Sequence, residues 1–372
     1  MVRPTRSRSR RRRHSASLTY PLFARPFPSK AAATNRVAIL GMCNPLLDIS
    51  AVVPAEVLAK YGVKAGDAVL AEEKHQPVYA ELVKDFKVDY IAGGAGQNSV
   101  RVAQWMLNKP GMTAYFGAVG ADAYAEQMKT QATKDGVNVQ YMVTDQPTGT
   151  CAVLVTPDGE RSLIANLAAA NHFKASHLEA AESKAVIDQA SIMYITGFFL
   201  TVSVDSIEAL GRHCVEQKKT LCMNLSAPFL IQFFGDQMAA ALPFVDIMFG
   251  NESEAAACGE KHGWGSDIPT IARNLAALPK ASGLRSRTVV ITQGSTATCV
   301  VQNGEVHTFP VEPLAKEALV DTNGAGDAFV GGFLAQLALG QPLAKCVDAG
   351  HWAARVIIQR SGCSYPDVCE YK

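Results

Sequence analysis

From Val37 onward, short runs of consecutive apolar residues alternate with longer stretches whose apolar positions recur every three or four residues. The runs at 37–41, 114–119, 192–196, 221–225, 245–249 and 288–292 predict strands. Between them, a period near 3.6 predicts helices over 97–107, 123–135, 206–216, 252–261 and 268–278. Near-continuous apolar strands separated by amphipathic helices imply an α/β fold, with a parallel sheet covered on both faces. Ligands in such folds sit beyond the C-terminal strand ends. Asn44, Asn224, Asn251 and Gly294 each fall just after a predicted strand. The runs at 51–53, 151–155 and 162–165 fit this scheme poorly and read better as strands of a small separate sheet.

One stretch breaks the periodicity with glycine: Asp321-Thr322-Asn323-Gly324-Ala325-Gly326-Asp327, followed by small and apolar residues over 328–339. It reads as a loop feeding the N-terminus of a buried helix. Unpaired backbone N–H groups and the helix dipole favour an anion there. Asp327 stands in that first turn, so a carboxylate lies beside the place where a phosphate would settle. Donors for a moving phosphoryl group with a base next to them suit phosphoryl transfer. A plain helix cap explains an isolated GxGD equally well. Two rival templates fail: GxGxxG needs glycine where Phe329 stands, and GxxxxGK[ST] needs a lysine that neither glycine precedes.

The full run from Asp321 to Phe333 resembles the C-terminal signature of the ribokinase (PfkB-type) carbohydrate and nucleoside kinases. The resemblance runs from about Val37 to Pro366 and points to the members that phosphorylate adenosine. Asn44-Pro45-Leu46-Leu47-Asp48, Gly93-Gly94-Ala95-Gly96-Gln97-Asn98, Arg161-Ser162-Leu163-Ile164-Ala165, Asn224-Leu225-Ser226-Ala227-Pro228-Phe229, Asn251-Glu252-Ser253-Glu254 and Thr292-Gln293-Gly294 carry it. It implies a ribokinase-like three-layer α/β/α core with a mainly parallel sheet and a small β-rich lid. The kinase domain would span 37–372, with lid strands from about 48–72 and 140–170 inserted in it.

The implied activity is transfer of the ATP γ-phosphate to the 5′-hydroxyl of adenosine, with Asp327 as general base and Gly324, Ala325 and Gly326 in the anion hole. Asp48 would bind the ribose hydroxyls, because an ionised carboxylate offers two acceptor oxygens. Asn44, Asn98 and the Gly93-Gly94 backbone would assist it. Leu46, Leu163, Ala165, Phe198 and Phe229 would form the adenine slot. Arg161, Asn224, Gln293, Gly294, Asn323 and His351 would contact ATP. Asn251 and Glu254 would organise Mg²⁺ through water, since that ion binds few carboxylates and keeps many waters. Taken alone, Asn251 and Glu254 also read as an ordinary helix cap, Asp48 as a turn cap, and the slot residues as core. Where the two glycines open the first helix, Ala95-Gly96 departs mildly from the family pattern. A sugar kinase of the same fold would keep Asp327 but want a polar pocket; a silent scaffold would not retain Asp327, Gly324, Gly326 and Glu254.

Charge divides the chain. Residues 1–36 carry ten basic and no acidic side chains, four prolines and an arginine cluster at Arg8 and Arg10 to Arg13. They read as a disordered extension: an organelle-targeting segment, a nuclear-localisation segment, or residues from a start site placed too early in the sequence. The remainder holds 25 basic against 34 acidic residues, which argues against a nucleic-acid partner. Nine scattered cysteines without CxxC or zinc spacing fit a reduced, cytoplasmic protein. No apolar stretch reaches the ~20 residues of a membrane span. The expected state is a soluble monomer with small-molecule partners.

Overall fold

The structure, a computed structural model, describes residues 36–157 and 160–372; the basic extension, apart from Arg36, lies outside the described residues. Fourteen strands are described there: β1 (Ile39–Met42), β2 (Leu46–Val52), β3 (Ala68–Leu70), β4 (Asp89–Gly93), β5 (Thr113–Gly120), β6 (Asn138–Thr144), β7 (Thr150–Val155), β8 (Arg161–Asn166), β9 (Ile192–Thr196), β10 (Thr220–Asn224), β11 (Ile247–Asn251), β12 (Thr288–Gln293), β13 (Thr296–Gln302) and β14 (Glu305–Phe309). They form a nine-stranded sheet ordered β14-β13-β12-β11-β10-β9-β1-β5-β6 and a five-stranded sheet ordered β3-β8-β7-β2-β4.

In the large sheet every pairing from β12 across to β6 is parallel. Its central strands are buried on both faces: Ile192–Thr196 and Thr113–Gly120 are buried at every position. One apolar cluster joins Met193, Met223 and Met248 to the helices on one face; another joins Ile39, Tyr194 and Phe249 to the helix Ala325–Ala338 on the other. That helix is apolar all round because helices flank it. Gly331 and Gly332 let them close in: a Cβ at either would lie 2.6 or 2.4 Å from a carbonyl oxygen, of Ser99 or of Ala349.

Two features depart from the expected pattern. β6, expected among the lid strands, pairs with β5 and forms an edge of the large sheet. Tyr141 on β6 packs edge-on against Tyr115 of β5, with ring centroids 6.3 Å apart, so side-chain packing decides its sheet. The antiparallel hairpin β13–β14 lies outside the expected strands. Its Asn303-Gly304 turn has φ of 52° and 82°, the backbone that two-residue hairpin turns require.

The chain leaves β1 for β2, β3 and β4 of the small sheet, returns through β5 and β6, enters the small sheet again as β7 and β8, and then crosses to β9 before stepping outward to β12. The gap between β1 and β9 is therefore the topological switch point, where α/β sheets open a ligand crevice. The small sheet stands over it: β2 continues from β1 after only Cys43, Asn44 and Pro45. Among the described residues no helix is long and apolar enough to cross a membrane.

Candidate active site

The crevice at the switch point is a cleft lined by residues of both sheets and of the helices that open on it. Its roof comes from the small sheet. Asp48 on β2 lies opposite Ile91 of β4, and its carboxylate rests on Gly93, where a Cβ would stand 2.3 Å from it. No residue but glycine fits there. Gly94 follows with φ +87° and leads into the helix Ala95–Leu107. Leu163 and Ala165 alternate on β8, so both face the cleft, and Leu46 joins them. Phe198 and Phe229 close the far wall, their ring centroids 6.3 Å apart. Asn44 is 6% exposed, and neither its Nδ2 nor its Oδ1 has a partner. A buried amide without partners costs free energy unless a ligand or water satisfies it.

Asp327 lies at the floor, in the first turn of Ala325–Ala338. Asn98 Nδ2 donates to its Oδ2 at 3.0 Å, while Asn98 Oδ1 stays unpartnered. Burial raises the Asp327 carboxyl to about 6, against a smaller lowering by Asn98. Burial, followed by the charge of Asp327, raises Asp48 to about 7; Arg101 and Arg161 partly offset this. Gly324 enters the helix at φ 78°. The Ala325 N–H turns back to the Thr322 carbonyl at 3.2 Å. Gly326 and Asp327 remain as first-turn amides without an intrahelical acceptor, and a Cβ at Gly326 would meet only open space. Donors, an open approach and a base with raised pKa thus converge.

The remaining candidates lie elsewhere, along the ends of β10, β11 and β12 and on the helices behind them. Asn224 Oδ1 accepts from the Gly197 N–H at 3.2 Å and from the Ser226 hydroxyl. Asn251 caps the helix Glu252–His262: its Oδ1 accepts from the Glu254 N–H at 2.9 Å, and Glu254 Oε2 accepts in return from the Asn251 N–H at 3.0 Å. Glu254 is 6% exposed, and burial raises its carboxyl to about 7. Gln293 Nε2 donates to the Ala297 carbonyl at 2.6 Å, and Gly294 turns at φ +55°. His351 Nε2 bonds the Thr298 hydroxyl at 2.8 Å, and its ring packs on Phe329. None of these lines the cleft, whereas Arg161 and Asn323 do. Arg161 there forms a buried ion pair with Asp321 at 2.9 Å.

A metal must fit this donor set. Among the described residues no group of three or more His, Cys, Asp or Glu could cage an ion. A single carboxylate, Glu254, with one oxygen already engaged, suits an ion held mainly by water and phosphate oxygens. Sequence reasoning missed Cys151, Val153, Gly362 and Cys363, which also line the cleft. Cys151 and Val153 share a face of β7 by simple alternation; nothing in the sequence announces Gly362 and Cys363.

The pfkB family carbohydrate kinase model matches residues 55–368. Adenosine kinase 2 of Arabidopsis thaliana is 54% identical over 331 residues, covering 88% of this chain and 96% of that protein. Adenosine kinase of Anopheles gambiae, solved in complex with P1,P4-di(adenosine-5) tetraphosphate, superposes with a TM-score of 0.84 at 49% identity, covering 88% of this chain and 98% of that one. Adenosine kinase of Schistosoma mansoni, solved with 2-fluoroadenosine, also gives 0.84, at 37% identity, covering 89% and 98%.

Proposed function

Since the chain belongs to the pfkB carbohydrate kinase family, on its adenosine kinase branch, we infer that it transfers the ATP γ-phosphoryl group to the 5′-hydroxyl of adenosine, giving AMP and ADP. One observation carries this reading beyond the relatives: a single cleft is lined both by two carboxylates, Asp48 and Asp327, and by the apolar side chains of Leu163, Phe198 and Phe229. Adenine fits between Leu163, Phe198 and Phe229. The ribose hydroxyls donate to Asp48, with the unpartnered Asn44 amide beside them. That leaves the 5′-hydroxyl directed at Asp327.

Asp327 takes the hydroxyl proton as O5′ attacks the γ-phosphorus; the bond to the bridging oxygen breaks and ADP leaves. A base near 6 is mostly ionised at pH 7 yet basic enough to accept a proton in the transition state. The amides of Gly326 and Asp327, with Gly324 opening their approach, meet the charge on the phosphoryl oxygens. Arg161 and Asn323 stand at the cleft edge on the phosphate side. Asn224, Gln293, Gly294 and His351 would shape the ATP groove, and Asn251 and Glu254 would hold the water shell of Mg²⁺. That ion, when bound, offsets phosphate charge.

The test is purified protein with Mg-ATP and a panel of adenosine, other nucleosides, ribose and fructose, with phosphorylated product quantified. Efficient phosphorylation of adenosine and little of free sugars is expected. A free sugar phosphorylated efficiently with adenosine inert would overturn the substrate while leaving the fold and Asp327 in place.

A further inference from the structure

The loop that presents the anion site has little structure of its own. Between the short turn Lys316–Ala318 and the helix Ala325–Ala338 it forms no helix or strand, and its bonds reach outward. The N–H groups of Val320 and Asp321 both donate to the Ile358 carbonyl, at 2.8 and 3.1 Å. Asp321 Oδ2 accepts from the Gly362 N–H at 2.7 Å, and Oδ1 from the Asn323 N–H at 3.0 Å. Arg161 joins Asp321 and also donates to the Ser361 hydroxyl. Cys363 packs on Gly324, 3.3 Å from the place of a Cβ there. Three consecutive residues near the C-terminus therefore brace the loop that delivers Asp327.

What fixes those three residues lies just beyond them. The Tyr365 ring stacks on Trp105, centroids 5.0 Å apart and planes 18° off parallel, and Arg101 sits 5.5 Å from its centroid. Trp105 in turn stacks on Trp352 at 5.4 Å. Trp105 and Arg101 belong to the helix Ala95–Leu107, whose first turn carries Asn98, the partner of Asp327. The segment from Ser361 to Tyr365 thus straps the anion loop to the helix that carries the acceptor loop.

We propose that Tyr365 is a positioning residue: locked on Trp105, it holds Gly362 and Cys363 against the anion loop and so sets where the phosphoryl group meets Asp327. The partners that hold the Tyr365 ring, Trp105 and Arg101, are not among the residues assigned to the nucleoside, so its effect falls on turnover and not on adenosine binding. The inference rests on the kinase reading above.

Full-length wild type, Tyr365→Ala, Tyr365→Phe and Gly362→Ala are compared by steady-state kinetics, with thermal melts to establish folding. Misplacement by a fraction of an ångström lowers turnover about 10–100-fold in Tyr365→Ala, with KM for adenosine almost unchanged. Tyr365→Phe keeps the stack on Trp105 and restores turnover, since the ring and not the hydroxyl holds the strap. Gly362→Ala leaves the aromatic stack intact but strains a backbone at φ +64°, and loses turnover likewise. A folded Tyr365→Ala with wild-type turnover, a defect confined to adenosine KM, or failure of Phe to rescue would overturn the proposal. Should Tyr365→Ala not fold, normal turnover in Gly362→Ala overturns it equally. An inactive wild type sinks the kinase reading and this inference together; an active one with an indifferent tail sinks this inference alone.

Discussion

Asp48 and Glu254 are both carboxylates that burial holds up at about 7, yet they sit in halves of the molecule built on opposite terms. On the acceptor side, under the small sheet, polar atoms stand unused: both polar atoms of Asn44 and Oδ1 of Asn98 lack partners, and Asp48 rests on a bare glycine. On the donor side, along the ends of β10 to β12, the candidate side chains are already bonded to protein. Asn251 and Glu254 cap a helix, Asn224 holds the Gly197 amide, and Gln293 holds the Ala297 carbonyl. The half under the small sheet leaves buried polar groups unsatisfied. The donor half makes its residues serve the fold first. Substitutions should therefore separate activity from stability on one side and couple them on the other.

The largest effect falls where the halves meet. Asp327→Asn keeps size and polarity but cannot take the proton, so turnover should drop by ~10²–10⁴, while adenosine affinity measured by calorimetry changes little. Near-normal turnover would remove Asp327 from the chemistry. Next, Asp48→Ala strips the acceptor of two hydroxyls. A charge-assisted bond contributes ~1.5–3 kcal/mol, so KM for adenosine should rise about 10–100-fold, with KM for ATP unmoved. Equal changes in both constants would dissolve the proposed division of the site.

pH sharpens the contrast. Ionised Asp48 offers two charged acceptor oxygens and protonated Asp48 a weaker set, and burial raises its carboxyl to about 7. Adenosine affinity should therefore weaken as pH falls from 8 to 6, and Asp48→Asn should flatten that slope at a lower plateau. Turnover at saturating substrate should fall only below the Asp327 value of about 6. A pH-independent dissociation constant in wild type would show that Asp48 titrates elsewhere.

The smallest effects concern stability and have opposite signs. A carboxyl raised by burial stabilises the folded state while protonated; that contribution is lost as pH climbs from the unfolded value near 4 through about 7. Asp48→Asn should therefore melt higher than wild type at pH 8, with the gain shrinking at pH 5. Asn251→Ala loses a cap of ~1 kcal/mol and should melt about 2 °C lower or less in a domain this large. Differential scanning calorimetry of both variants checks the pair. A stabilising Asn251→Ala would break the coupling claimed for the donor half.

Much of this was readable from residue order. Alternating apolar runs and amphipathic periods located the strands on either side of the switch point, because burial on two faces leaves a continuous apolar signature. The Asp321–Phe333 signature put Asp327 in a first helical turn, where the structure has it, since a glycine-opened helix N-terminus is a local property of the backbone. The Asn303-Gly304 turn is equally local, yet the hairpin it closes at the sheet edge lay outside the expected strands. Which sheet β6 joins was not local. Its half-buried pattern suits either sheet, and packing of Tyr141 on Tyr115 decides.

The same limit governs the site. Sequence by itself determined the kinds of groups available: one carboxylate in a first helical turn, another after the first strand, and apolar residues at alternating positions. Only tertiary structure decided that Arg161, expected at the phosphates, is engaged by Asp321, 160 positions along the chain. It alone brought Gly362 and Cys363 to the cleft, and left Asn44 without a partner while satisfying Asn224. The physical reason is that pattern and turn chemistry act over a few residues. A side chain's partners and its pKa depend instead on which distant segments the fold packs against it, and no local pattern encodes that.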